Sequence, residues 1–104
     1  MTMGDLQRAA VHFADRHDLQ HDTETHALDL VAEVGELAKE ILLATDYGRL
    51  PASFRRELTG EIGDVLYSLL LLAEACGVDA EEALMASLTK YERRLADGRE
   101  ASSQ

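Results

Sequence analysis

Two segments of this chain place acids where a helix would otherwise be apolar. In the first, Asp29, Glu33, Glu36 and Glu40 recur at i, i+4, i+7 and i+11, with Leu30, Val34, Leu37 and Ile41 in the adjoining stripe. In the second, Glu57, Glu61, Asp64 and Ser68 repeat that spacing beside Leu58, Ile62, Val65, Leu69 and Leu72. On a helical wheel the first set forms a narrow strip, flanked by Leu43 and Ala32 on one side and by the Leu30 stripe on the other. Such helices must bury most of their circumference, and laid side by side they bring their acidic strips together. Carboxylates gathered in apolar surroundings repel one another and become costly to ionise, and cations relieve both problems. The pairs Glu33-Val-Gly-Glu36 and Glu61-Ile-Gly-Asp64 therefore predict a cation site shared by two helices.

The rest of the chain reads as helix around this pair. Leu6, Ala10, Phe13 and His17 mark an amphipathic helix over about Met3 to His17, and a polar loop follows from Asp18 to Thr25. The first acidic helix is expected from Thr23 or Glu24 to Ala44. Gly48 and Pro51 mark a connecting loop, and Ser53 is the expected cap of the second acidic helix, which should run to Cys76. Arg55 and Arg56 then fall in its first turn, where the helix dipole disfavours cations, so they should pair with something else. Gly77 suits the residue after a helix end. Asp79-Ala-Glu-Glu82 opens a fourth helix that carries Leu84, Leu88, Tyr91 and Leu95 and ends near Asp97. No stretch alternates with period two. The expected class is all-α: one four-helix domain over 1–98 with a disordered tail over 99–104.

A chain of 104 residues hides only about two-thirds of its unfolded surface, which makes oligomerisation the expected completion of the bundle, as a homodimer or homotetramer. The net charge of −10 opposes a nucleic-acid partner, since such partners require clustered Lys and Arg. A small anionic substrate is compatible with the acidic chain when a divalent cation sits between them. No leader-like segment or long apolar span is present, so the expectation is a cytoplasmic protein without a membrane partner. Cys76 lies beside the run Leu69 to Ala75 and reads as a buried small hydrophobe.

His17, His21 and His26 crowd the first loop without the spacing or the cysteines of a zinc site; His21 is kept as a candidate substrate contact. A ligand set of carboxylates alone suits Mg²⁺, with Mn²⁺ as the alternative; a di-iron bundle would want Glu-x-x-His, which neither pair offers. Gly35 and Gly63 each precede the second carboxylate of a pair, and a glycine inside a helix predicts close approach by a backbone or ligand.

The runs Leu30-Val-Ala-Glu-Val-Gly-Glu-Leu37, Glu61-Ile-Gly-Asp-Val-Leu-Tyr67 and Leu70 to Ala83, with the opening Leu6 to Asp15, resemble the MazG-like all-α nucleotide pyrophosphohydrolases, in the short branch that includes dCTP pyrophosphatases. The resemblance implies a fold of that kind and hydrolysis of a nucleoside triphosphate to its monophosphate and pyrophosphate. It implies Glu33, Glu36, Glu61 and Asp64 as Mg²⁺ ligands, and Lys90 with Arg93 or Arg94 as phosphate contacts. Glu36 or its neighbour Glu40 would take the proton of the attacking water, and the base would lie in an apolar crevice near Phe13, Tyr47 or Tyr67. The chain departs from the family pattern at Ala32, in having no Asn before the basic cluster, and in lacking an aromatic near Leu19. Two other readings share the acidic motifs: a phosphoribosyl-ATP pyrophosphohydrolase, and a non-catalytic helical dimerisation or regulatory module.

Overall fold

The computed structural model describes residues 1–98; the expected tail over 99–104 lies outside the described residues. Four helices follow one another, α1 Met3–Arg16, α2 Thr23–Ala44, α3 Glu57–Ala75 and α4 Ala80–Ala96, and no strand occurs among the described residues.

Local chemistry sets most of the ends. Thr2 and Asp5 form a reciprocal capping box on α1, and the bond to the Thr2 backbone holds the Asp5 carboxyl below its ordinary range. Asp22 caps α2 by accepting from the Thr25 amide at 2.8 Å. At the end of α3, Gly77 sits at φ 70° while its amide donates to the Glu74 carbonyl and the Val78 amide donates to that of Ala73, the paired bonds of a Schellman motif. Asp79 caps α4 through the Glu82 amide, as the sequence predicts. The neighbouring carboxylate, Glu81, crosses to α1 and accepts from the Gly4 amide.

The start of α3 differs from expectation. The helix begins at Glu57, not at Ser53, and has no side-chain cap. The Ser53 amide donates instead to the Ala44 carbonyl at 3.0 Å, which ties the loop back onto the end of α2. Asp46, Tyr47 and Gly48 lie successively at positive φ and turn the chain for this return.

Helices α2 and α3 form an antiparallel hairpin with the most extensive packing in the chain; α1 lies on α3, and α4 makes its main contact with α1. Gln7, buried on α1, braces three elements: its amide donates to Glu74 and to the Val78 carbonyl, and its oxygen accepts from the Ala80 amide at 2.8 Å. The buried apolar set is small, namely Ala14, Ala44, Leu70 and Leu71, and α4 buries no residue. The radius of gyration is 16.4 Å, against about 13 Å for a compact chain of this length. Much apolar surface therefore stays in solvent, with Leu28 and Val31 on α2 at 69% and 67% exposure.

One expectation fails and another is met by nothing within this chain, both because a single copy packs only part of each helix. Cys76 is exposed, because the inward stripe of α3 passes through Leu70 and Leu71 and the helix ends before it returns. Gly35 and Gly63 meet nothing: a Cβ on either would have open space within 4 Å, so no part of this chain approaches them closely.

Candidate metal centre

The hairpin brings the two acidic strips together. One carboxylate oxygen each from Glu33, Glu61 and Asp64 can be chosen so that all three lie within 4.8 Å of one another. Glu33 and Glu61 are half-buried and Asp64 is exposed. Glu36 falls outside this trio, on the exposed side of α2, yet its charge acts on Glu61. Burial first, then the charges of Asp64, Glu36, Glu33 and Glu40, push the Glu61 carboxyl above its ordinary range. All donors are hard oxygens without His or Cys, which fits a Mg²⁺-type cation and fits zinc or iron poorly.

The antiparallel pairing orders the surroundings along one line. Toward the start of α2 and the end of α3, Ala10, Phe13, Asp64 and Tyr67 line a shallow, open hollow of ≈ 460 Å³. Phe13 and Tyr67 meet edge to face with centroids 6.0 Å apart. Beside it, His21, His26, Asp29, Tyr67 and Ser68, with Leu19 and Leu71, line a smaller cavity of mixed character, ≈ 170 Å³. His26 is 2% exposed, and its Nε2 accepts from the His21 amide at 3.2 Å, which holds the first loop against this end of the hairpin. The Tyr67 hydroxyl is buried with no hydrogen-bond partner. Tyr47, the third aromatic expected near a base, stands exposed in the α2–α3 loop.

Toward the other end, Glu40 is 4% exposed and accepts from Arg55 Nε at 2.7 Å and Nη2 at 3.0 Å. This is the partner that the placement of Arg55 demanded. It also engages both oxygens of a carboxylate considered as the proton acceptor. Glu36, Lys39, Glu57 and Glu61 join Glu40 and Arg55 around a cleft of ≈ 180 Å³. Neither the buried acceptor role of His26 nor the Glu40–Arg55 pair was read from the sequence as part of a site. The expected first-turn position of Arg55 and Arg56 is not found, since α3 begins at Glu57 and both precede it, but the expectation of a partner for Arg55 holds.

The α4 cations take another position. Lys90 holds its ammonium 5.2 Å from the centroid of the Tyr91 ring, and Arg93 is exposed. With Arg94 they ride on a helix whose main packing is against α1, not against the hairpin that carries the carboxylates. Among the described residues no helix is long and apolar enough to cross a membrane.

Residues 21–97 match the family model of the MazG nucleotide pyrophosphohydrolase domain. The human protein dCTP pyrophosphatase 1 (Homo sapiens) is 34% identical over 99 residues, covering 89% of this chain and 58% of the human one. The bovine protein of the same name (Bos taurus) is 32% identical, covering 89% and 59%. The chain thus spans little more than half the length of these relatives. A Bacillus-conserved MazG protein, described as a nucleotide pyrophosphohydrolase, superposes with a TM-score of 0.72 at 26% identity, over 88% of this chain and 89% of that one.

Proposed function

We propose that this chain, which belongs to the MazG nucleotide pyrophosphohydrolase family, hydrolyses a nucleoside or deoxynucleoside triphosphate to its monophosphate and pyrophosphate with Mg²⁺ as cofactor. The observation that carries this reading is the meeting of Glu33, Glu61 and Asp64 across the α2–α3 hairpin, with Glu61 pushed up by burial and by its acidic neighbours. Three acids folded into mutual repulsion are stabilised by a cation, and Glu36, one turn along from Glu33 and outside the trio, adds its charge to theirs. Mg²⁺ supplies Lewis acidity toward the phosphate oxygens and the attacking water. The water oxygen attacks phosphorus in line, the bridging P–O bond between the α- and β-phosphates breaks, and pyrophosphate leaves. Glu36 takes the proton, since it is exposed and Glu40 is committed to Arg55.

The hollow at Phe13 and Tyr67 suits the base, and the orphaned Tyr67 hydroxyl supplies a hydrogen bond that the ligand-free chain leaves unmade. His21, which lines the neighbouring cavity, contacts the nucleoside from the same end. The exposed apolar faces and the extended shape support a homodimer or homotetramer. Lys90, Arg93 and Arg94 are phosphate contacts in this reading only if a second copy supplies them, since α4 packs chiefly on α1 within one copy.

A panel of canonical, deoxy and modified triphosphates tests the reading, with dCTP first because the named relatives are dCTP pyrophosphatases. Phosphoribosyl-ATP belongs in the same panel. Monophosphate and pyrophosphate formed only with a divalent cation support it. No turnover of any member, with no cation-dependent rise in melting temperature, overturns it.

A further inference from the structure

We propose that Arg55 and Lys39 form the subsite for the leaving pyrophosphate, with buried Glu40 as the positioning residue for Arg55; this rests on the pyrophosphohydrolase reading above. Because α2 and α3 run antiparallel, the aromatic hollow, the carboxylate trio and the Arg55 cleft follow one another in a line. Asp64 opens onto Phe13 and Tyr67, Glu61 belongs to both the trio and the cleft, and Glu57 closes the far end beside Arg55. From Asp64 to Glu57 the helix rise is about 10 Å, which accommodates a triphosphate chain. A nucleotide with its base against Phe13 and Tyr67 and its α-phosphate at the trio must then extend its β- and γ-phosphates into the cleft.

That cleft holds two cations, Lys39 and Arg55, among the carboxylates Glu36, Glu40, Glu57 and Glu61, so a pyrophosphate entering it would do so with its divalent cation. Arg55 is half exposed; its Nε and Nη2 donate to Glu40 and its Nε also lies 3.7 Å from Glu57, which leaves the Nη1 donors for phosphate oxygens. Lys39 lines the same cleft and can move its ammonium to meet a tail of variable length. Glu40 is buried where a lone carboxylate would be costly, so it exists in this position with Arg55 as its counter-ion. The pair fixes the plane of the guanidinium before substrate arrives. It also explains why α3 starts late, since the segment before Glu57 is held against α2 by this contact. The basic residues of α4 do not supply this subsite within one copy, because α4 packs chiefly on α1.

Inorganic pyrophosphate is the probe, titrated calorimetrically in the presence of Mg²⁺ against wild type, Lys39→Ala, Arg55→Lys and Glu40→Gln, with the monophosphate product as control. Lys39 is exposed and outside the pair, so its variant leaves the fold intact even if the Arg55 and Glu40 variants lose stability. The expected result is pyrophosphate affinity reduced about tenfold or more in Lys39→Ala and Arg55→Lys, and several-fold in Glu40→Gln. Monophosphate affinity and the Mg²⁺-dependent rise in melting temperature stay within twofold and a few degrees of wild type. Unchanged pyrophosphate affinity in Lys39→Ala and Arg55→Lys, in a chain that hydrolyses triphosphates, overturns this subsite alone. A wild-type chain that neither hydrolyses triphosphates nor binds pyrophosphate overturns the underlying reading and this subsite with it.

Discussion

Replacing Glu61 by Gln keeps the shape of the side chain and removes one charge from the trio, and it should move stability in opposite directions with and without metal. In the metal-free protein the Glu61 carboxyl is pushed up by burial and by Asp64, Glu36, Glu33 and Glu40. The folded state thus holds this proton more tightly than the unfolded chain, whose Glu titrates near 4.5. Stability is then full below the unfolded value and declines as pH rises through the folded one. At neutral pH the Gln variant escapes that penalty, so its metal-free melting temperature should equal or exceed that of wild type, and the decline should flatten. Metal reverses the comparison. A cation at ten times its dissociation constant stabilises the folded state by RT ln 11, about 1.4 kcal/mol. For a chain of this size each kcal/mol moves the melting temperature by about 4–8 °C, so wild type should gain about 6–11 °C. A tenfold loss of affinity in the variant leaves RT ln 2 at the same Mg²⁺ concentration, a gain of about 2–3 °C. Calorimetric melts between pH 4 and 8, with and without Mg²⁺, measure both arms, and hydrolysis of dCTP gives the functional one. An undiminished metal-dependent rise would exclude Glu61 as a ligand. A metal-free variant less stable than wild type at neutral pH would refute the repulsion from which the site was inferred.

Three further outcomes are expected. Gln7→Ala removes three hydrogen bonds and strands the Val78 carbonyl and the Ala80 amide; the cost should be about 2–4 kcal/mol in a urea melt. Tyr67→Phe deletes a buried hydroxyl that has no partner, so the ligand-free protein should gain up to about 1 kcal/mol while KM rises several-fold; an unchanged KM would detach this hydroxyl from the substrate. Paired charges at Leu28→Glu and Val31→Glu, on the most exposed apolar part of α2, should yield a monomer by light scattering with little activity, whereas an intact assembly would place the interface elsewhere.

What could be read from the chain alone was whatever depends on near neighbours. The helices over Leu6 to Phe13 and Leu84 to Leu95 follow from 3.6-residue periodicity, and the cap at Asp79 and the turn at Gly77 follow from side chains acting within a few residues. The meeting of Glu33 with Glu61 and Asp64 was legible too, because two acidic strips enclosed by apolar residues leave few ways to pack. The tertiary structure decided what depends on partners distant in sequence. Arg55 reaches back fifteen residues to Glu40, and that contact, with the bond from Ser53 to Ala44, overrides the local preference to begin α3 at Ser53. Phe13 joins Tyr67, His21 joins His26 under the end of α3, and Gln7 ties α1 to the turn before α4. Cys76, Gly35 and Gly63 lie open because their helices are only partly covered. Periodicity tells which face of a helix must be buried; it carries no information about which element buries it, since that is settled by the summed packing of the whole chain.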